Sequence, residues 1–219
     1  MRQMKISEVM NEVISTIKSD KFRSSYYQQG FDSNNEYKRL PASEQTFCIK
    51  AVDDMIANST WICPINTTAT SPSFNPNKNI VSIPCKDRYS NKMDIMTMFG
   101  DEHMQSFYCD LFHEMTHSTK KVEKWSKQRK AGGKFGDRDY AREELLAEST
   151  ALVISKLFDF SPSIQKSSIA YIGGWLNALK GDTAILLDKE LQDDIRKAAN
   201  FIINRINLQC TKPILPKVM

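Results

Sequence analysis

His113-Glu114-Met115-Thr116-His117 lies inside a stretch with helical periodicity, and its reading decides the rest of the chain. From Asp101 to Thr119, the residues Met104, Phe107, Tyr108, Leu111 and Met115 fall at three- and four-residue spacing, the apolar stripe that a helix buries. The two histidines fall off that stripe. At i, i+4 they share one helix face, so both imidazoles can reach a single metal ion, and Glu114 lies beside the position left open for water. With 3 His in the whole chain, composition alone would rarely produce this pattern.

Two imidazoles and a water leave a tetrahedral ion one protein ligand short, so another element must supply a donor. Arg142-Glu143-Glu144-Leu145-Leu146-Ala147-Glu148 opens a second helix with Leu146, Val153 and Leu157 directed to the core. Glu144 and Glu148 share another face of it, and a buried pair of like charges needs a cation close by. Glu144 is therefore the expected third ligand, with Glu143 the alternative. Glu148 is the expected acceptor for the free ring N–H of a ligating histidine. The competing reading makes these residues solvated acids near a helix start. The ligand set suits Zn2+, although histidine and carboxylate also accept Mn, Co or Ni.

These residues resemble a known arrangement. HExxH followed by Glu144-Leu145-Leu146-Ala147-Glu148 looks like the gluzincin type of zincin metallopeptidase. Phe107-Tyr108 through Leu111-Phe112-His113-Glu114, then Phe135-Gly136, Tyr140 to Glu148, and Ala170-Tyr171-Ile172-Gly173-Gly174-Trp175-Leu176-Asn177-Ala178-Leu179-Lys180 appear in order. Together they resemble the C-terminal metallopeptidase domain of ArdC-type antirestriction proteins, over roughly residues 43–206. The resemblance implies an α+β, zincin-like fold, mostly helical with a small antiparallel sheet beside the HExxH helix. It also implies a zinc-dependent peptidase acting on a protein or peptide through a metal-activated water, with Glu114 as general base and a link to antirestriction or mobile-element biology. The alternative is a non-catalytic, zinc-stabilised module that binds or occludes DNA or a restriction-type protein. The chain departs from the ArdC type in two places: the segment ahead of residue 43 is too short for a single-stranded-DNA-binding domain of ordinary size, and the loop between the metal helices is rich in Lys. No recognisable nucleic-acid-binding domain supports a DNA partner.

Length and composition agree with one enzyme-sized unit: 219 residues, 41% hydrophobic and 26% charged, with a net charge of only +4. The expected organisation is an N-terminal amphipathic helix and loop over residues 1–42, the metallopeptidase domain over 43–209, and a tail over 210–219. Met4, Ile6, Val9, Met10, Val13, Ile14 and Ile17 give the first helix its stripe; no signal peptide or membrane span is visible. The 5 Cys form no C-x-x-C pair, which points to buried free thiols in a reducing, cytoplasmic setting. Cys109, one turn before His113, reads as core packing, and His103 as a surface or capping residue.

Between these landmarks, a helix is expected from Pro41 to about Asn58, then strands at Thr60–Ile65 and Asn79–Pro84 forming an antiparallel pair. Ile80, Val81, Ser82 and Ile83 form the candidate edge strand for pairing with substrate backbone. Lys120 to Asp139 reads as a long, solvated basic loop beside the cleft. Ser161-Pro162 opens a further helix, Gly181-Asp182 ends it and caps the next, and Leu191, Ile195, Ala198, Ile202 and Ile206 line the last. Tyr171 and Tyr140 are the candidate oxyanion donors.

Overall fold

The computed structural model describes residue 11 and residues 49–90, 100–122, 129, 137–158, 160–181 and 183–209. The expected N-terminal stripe and the loop after it, the beginning of the helix from Pro41, most of the lysine-rich connection, Asp182 and the tail lie outside these residues.

Helix α1 spans Lys50–Ala57 and buries Ala51, Val52 and Met55. After it come three short strands, β1 (Ile65–Asn66), β2 (Ser73–Asn75) and β3 (Ile80–Ser82). Their order is β1-β3-β2, with β1 parallel to β3 and β2 antiparallel to it. The expected antiparallel pairing of the 60–65 and 79–84 segments is thus corrected: Ile65 and Asn66 run parallel to Val81 and Ser82, and the antiparallel partner of β3 is β2. Pro64 explains the shortness of β1, because it has no N–H to donate and constrains Cys63 before it. The β2–β3 hairpin turns on Asn75, whose Oδ1 accepts from the main-chain N–H of Asn77 and Lys78, and on Asn79 at φ +52°.

The helical part follows: α2 (Lys86–Ser90), α3 (Gly100–Ser118), α4 (Arg138–Leu157), α5 (Pro162–Ala178) and α6 (Lys189–Asn207). A 3-10 turn, Thr119–Lys121, extends α3, and another, Thr183–Leu187, precedes α6. The whole stripe expected on α3, from Met104 to Met115, is buried. At about 1.5–3 kcal/mol for each large apolar side chain, this stripe is what fixes α3 against the core.

Helix α4 differs from a surface helix with one buried stripe. Glu143 to Ser155 are buried without a break, and α3, α5 and α6 all pack on α4. The carboxylates of Glu143, Glu144 and Glu148 are therefore interior groups, which overturns the reading of Glu144 and Glu148 as solvated acids. On the α6 side, Arg142 Nη2 reaches Asp194 Oδ2 at 3.1 Å. The N-cap of α6 is Asp188, whose side chain accepts from the N–H of Glu190 and Leu191. Cys63 and Cys109 are buried free thiols, whereas Cys85 is an exposed one. Among the described residues, no helix is long and apolar enough to cross a membrane.

Candidate metal centre

The periodicity of α3 that buries Phe112 and Met115 turns His113 and His117 toward the first turns of α4, where both rings are half-buried. Their Nε2 atoms are 3.1 Å apart. Glu144 closes the triangle, with Oε2 3.4 Å from His113 Nε2 and Oε1 3.5 Å from His117 Nε2. The opposite ring nitrogens face carboxylates: His113 Nδ1 is 2.8 Å from Glu148 Oε2, and His117 Nδ1 is 3.1 Å from Glu143 Oε1. Each neutral imidazole accordingly carries its proton on Nδ1, so two Nε2 lone pairs and a carboxylate converge on one point. Such an arrangement is repulsive unless a cation occupies the centre.

Without a metal, that cation is a proton. Burial works against the His113 imidazolium, but hydrogen bonds to Glu144 and Glu148, with the charges of Glu148 and Glu114, outweigh it and push its pKa up to about 10. The donor set also fits a metal. A tetrahedral ion bound at about 2.0–2.1 Å keeps its ligands about 3.3–3.4 Å apart, and the three observed edges bracket that value.

Glu114 is buried, and burial raises its pKa above the ordinary glutamate value, against the lowering effect of His117 and His113. It lines two cavities that meet at His113 and Tyr171. The larger, about 690 Å³, runs past Ser73, Phe74, Lys120, Lys121 and Tyr140; the smaller, about 370 Å³, past Cys109, Ser168 and Glu148. Tyr171 stands at the rim of both, 46% exposed, with its hydroxyl 3.5 Å from Glu144 Oε2 and its ring edge-on to His113. Tyr140 also donates to Glu144 and packs on Trp175. The other chemistry-bearing residues of the helix are elsewhere occupied. Cys109 Sγ is 3.6 Å from Ser168 Oγ, and His103 is no part of the donor cluster.

A family model described as a zincin-like metallopeptidase, MPTase-PolyVal, matches residues 50–189, more than half of the chain. The chain belongs to this family. No curated protein and no solved structure matches the chain. For a zincin-like metallopeptidase, a metal centre is expected, and His113, His117 and Glu144 are the described residues able to hold one.

One sequence expectation for this metallopeptidase fails. Ile80, Val81, Ser82 and Ile83 cannot receive a substrate strand, because β3 is the central strand, hydrogen-bonded to β1 on one side and β2 on the other. Sequence reasoning also missed the surroundings of Glu143. Arg129 is buried and pairs with both Glu143 oxygens, and Lys120 Nζ is 3.3 Å from Oε2. At these two positions the supposedly solvated basic loop is turned inward. Burial works against the Glu143 carboxylate, but the hydrogen bond with His117 and the charge and hydrogen bonds of Arg129 outweigh it and hold its pKa down at about 2. A signal for Glu143 did exist: two ligating rings have two Nδ1–H groups, and Glu148 answers only one. Nothing in the sequence distinguishes Arg129 from its basic neighbours.

Proposed function

We propose that this chain is a zinc-dependent peptidase of the HExxH, gluzincin-like kind, in which His113 and His117 through Nε2, and Glu144 through its carboxylate, hold one ion. The observation that carries this reading is the convergence of two Nε2 lone pairs and a carboxylate, with both Nδ1 atoms engaged by other carboxylates. When bound, zinc supplies Lewis acidity, drawing the pKa of water toward neutrality and polarising a carbonyl.

Glu114 then works as the proton carrier. Its carboxylate accepts a proton from the attacking water and releases it to the leaving amine nitrogen. Burial suits it to both halves of that task, since a carboxylate with a raised pKa gives up little driving force in either direction. Glu148 and Glu143 keep the two rings oriented by accepting from Nδ1. Tyr171, at the open rim, and Tyr140 are the hydroxyls near enough to turn toward a developing oxyanion.

The substrate is an extended peptide. Among the described residues β2 is a sheet edge, and Ser73 and Phe74 line the larger cavity, so a peptide backbone pairing with β2 would pass over the histidines. The resemblance of several sequence blocks to ArdC-type proteins is the ground for placing the chain in antirestriction or mobile-element biology, and free thiols at Cys63, Cys85 and Cys109 fit a reducing, cytoplasmic setting.

The test compares the wild-type protein with Glu114→Gln on bound zinc and on hydrolysis of an unstructured protein such as casein. The variant is expected to keep its zinc and to lose about 10²–10⁴-fold in rate. Chelation of the metal should abolish wild-type cleavage. Equal cleavage by the zinc-loaded wild type and variant would sink the reading.

A further inference from the structure

Arg129 has no part in the reaction above, yet its side chain is 0% exposed and each of its three guanidinium nitrogens donates a hydrogen bond. Nε donates to Glu143 Oε2 at 3.1 Å and Nη2 to Glu143 Oε1, a two-pronged grip on one carboxylate. Nη1 donates to Thr119 Oγ1 at 2.6 Å, and Nη2 also reaches the main-chain oxygen of Thr116 at 3.2 Å. Thr116 precedes His117 in the last turns of α3, and Thr119 starts the 3-10 turn beyond it. A single planar cation thus joins the end of the helix bearing both histidines to the start of the helix bearing the carboxylates. A positive charge at a helix C-terminus is itself favourable.

We propose that Arg129 is a positioning residue for the metal centre: by fixing the Glu143 carboxylate against His117 Nδ1, it aims His117 Nε2 at the point shared with His113 and Glu144. The proposal rests on the peptidase reading of the same site. A buried carboxylate without a cation would be costly to keep ionised. It could also swing toward the metal and compete with Glu144, its neighbour in sequence. With both oxygens engaged by Arg129, Glu143 is confined to the outer side of the His117 ring, and Glu144 is left to face the ion. Lys120 adds charge at 3.3 Å, but an ammonium cannot reproduce the planar fork. The His113 side has no such device: among the described residues, the only ion pair of Glu148 is with His113.

The experiment measures zinc affinity by chelator competition and the visible spectrum of the cobalt-substituted protein. It also follows thermal unfolding of the metal-free form. Wild type is compared with Arg129→Ala, Arg129→Lys, Glu143→Ala and the double variant Arg129→Ala/Glu143→Ala. Arg129→Ala should bind zinc about 10–100-fold more weakly. Arg129→Lys should fall between it and wild type, with a shifted cobalt spectrum. The double variant should bind no more weakly than Glu143→Ala alone. If Arg129→Ala lowers the unfolding temperature while folded molecules keep wild-type affinity, Arg129 is only a structural pin and the proposal is overturned. Should Arg129→Ala not fold, a wild-type affinity and cobalt spectrum in Arg129→Lys overturns it equally. A wild-type protein that binds neither metal would remove the peptidase reading itself, an outcome distinct from wild-type binding that the Arg129 variants share.

Discussion

His113 and His117 stand one turn apart on the same helix and face the same point, yet what backs them is different. Behind His117, Glu143 is held by Arg129 and Lys120, so its negative charge is matched before any metal arrives. Behind His113, Glu148 lines the smaller cavity, and its only ion pair among the described residues is with His113. Glu144 stands about equally near both rings, 3.4 and 3.5 Å, so the difference lies in the backing carboxylates: Glu148 has His113 alone to match its charge among these ion pairs. One half of the centre is locked by its own ion pairs; the other is set to respond to protons and metal. Two side chains of one chemical type need not be two equivalent supports.

The contrast can be broken most forcefully through pH. Because His113 holds its proton up to about 10, metal must displace that proton, and affinity should rise with pH across the neutral range. One proton released per ion predicts a gain of about a hundredfold from pH 6 to pH 8, measurable by chelator competition. The metal-free protein should show the linked effect in stability. A pKa raised from 6.5 to about 10 contributes stability that is complete below about 6.5 and lost as pH climbs through about 10. Metal-free unfolding temperatures that rise over that interval would show the proton to lie elsewhere.

A second test removes one backing carboxylate at a time. Glu143→Ala strands a buried guanidinium and should destabilise the metal-free fold by about 3–5 kcal/mol. Glu148→Ala strands no cation outside the cluster and should cost clearly less in denaturant unfolding. Equal losses would erase the asymmetry. The smallest expected effect belongs to Lys120→Ala, under about 1 kcal/mol, because this ammonium is partly solvated and Glu143 keeps Arg129. A larger loss would move the locking role from Arg129 to Lys120.

How much of this the sequence carried depended on the range of the interaction. Local patterns were readable: the α3 stripe, the i, i+4 histidines and the apolar face of the last helix follow from helical periodicity. Glu144 and Glu148 were readable as a pair because they too are four apart, though not as interior groups; that follows from α3, α5 and α6 closing around α4, which no single helix pattern encodes. Of the two expected strands, β3 lies within 79–84, but the 60–65 run meets β1 only at Ile65, and β2 falls in the segment between them. Two or three residues carry too little alternation to fix orientation, and Pro64 cut one run short. Arg129 lay beyond reach altogether, since its meaning comes from Glu143, a contact between separate elements.

The enclosure of α4 carries a practical consequence for anyone altering this protein. Helices α3, α5 and α6 leave little slack around the buried stretch of α4, so a bulkier residue at Ala147 or Ala151, both 0% exposed, must push the rod aside. Glu143, Glu144 and Glu148 ride on that rod. Substitutions deep in the oily interior, far from any solvent-filled cleft, will therefore register as changes in the bite of the donor atoms, and the bore of the core becomes a dial for the reactivity at the surface.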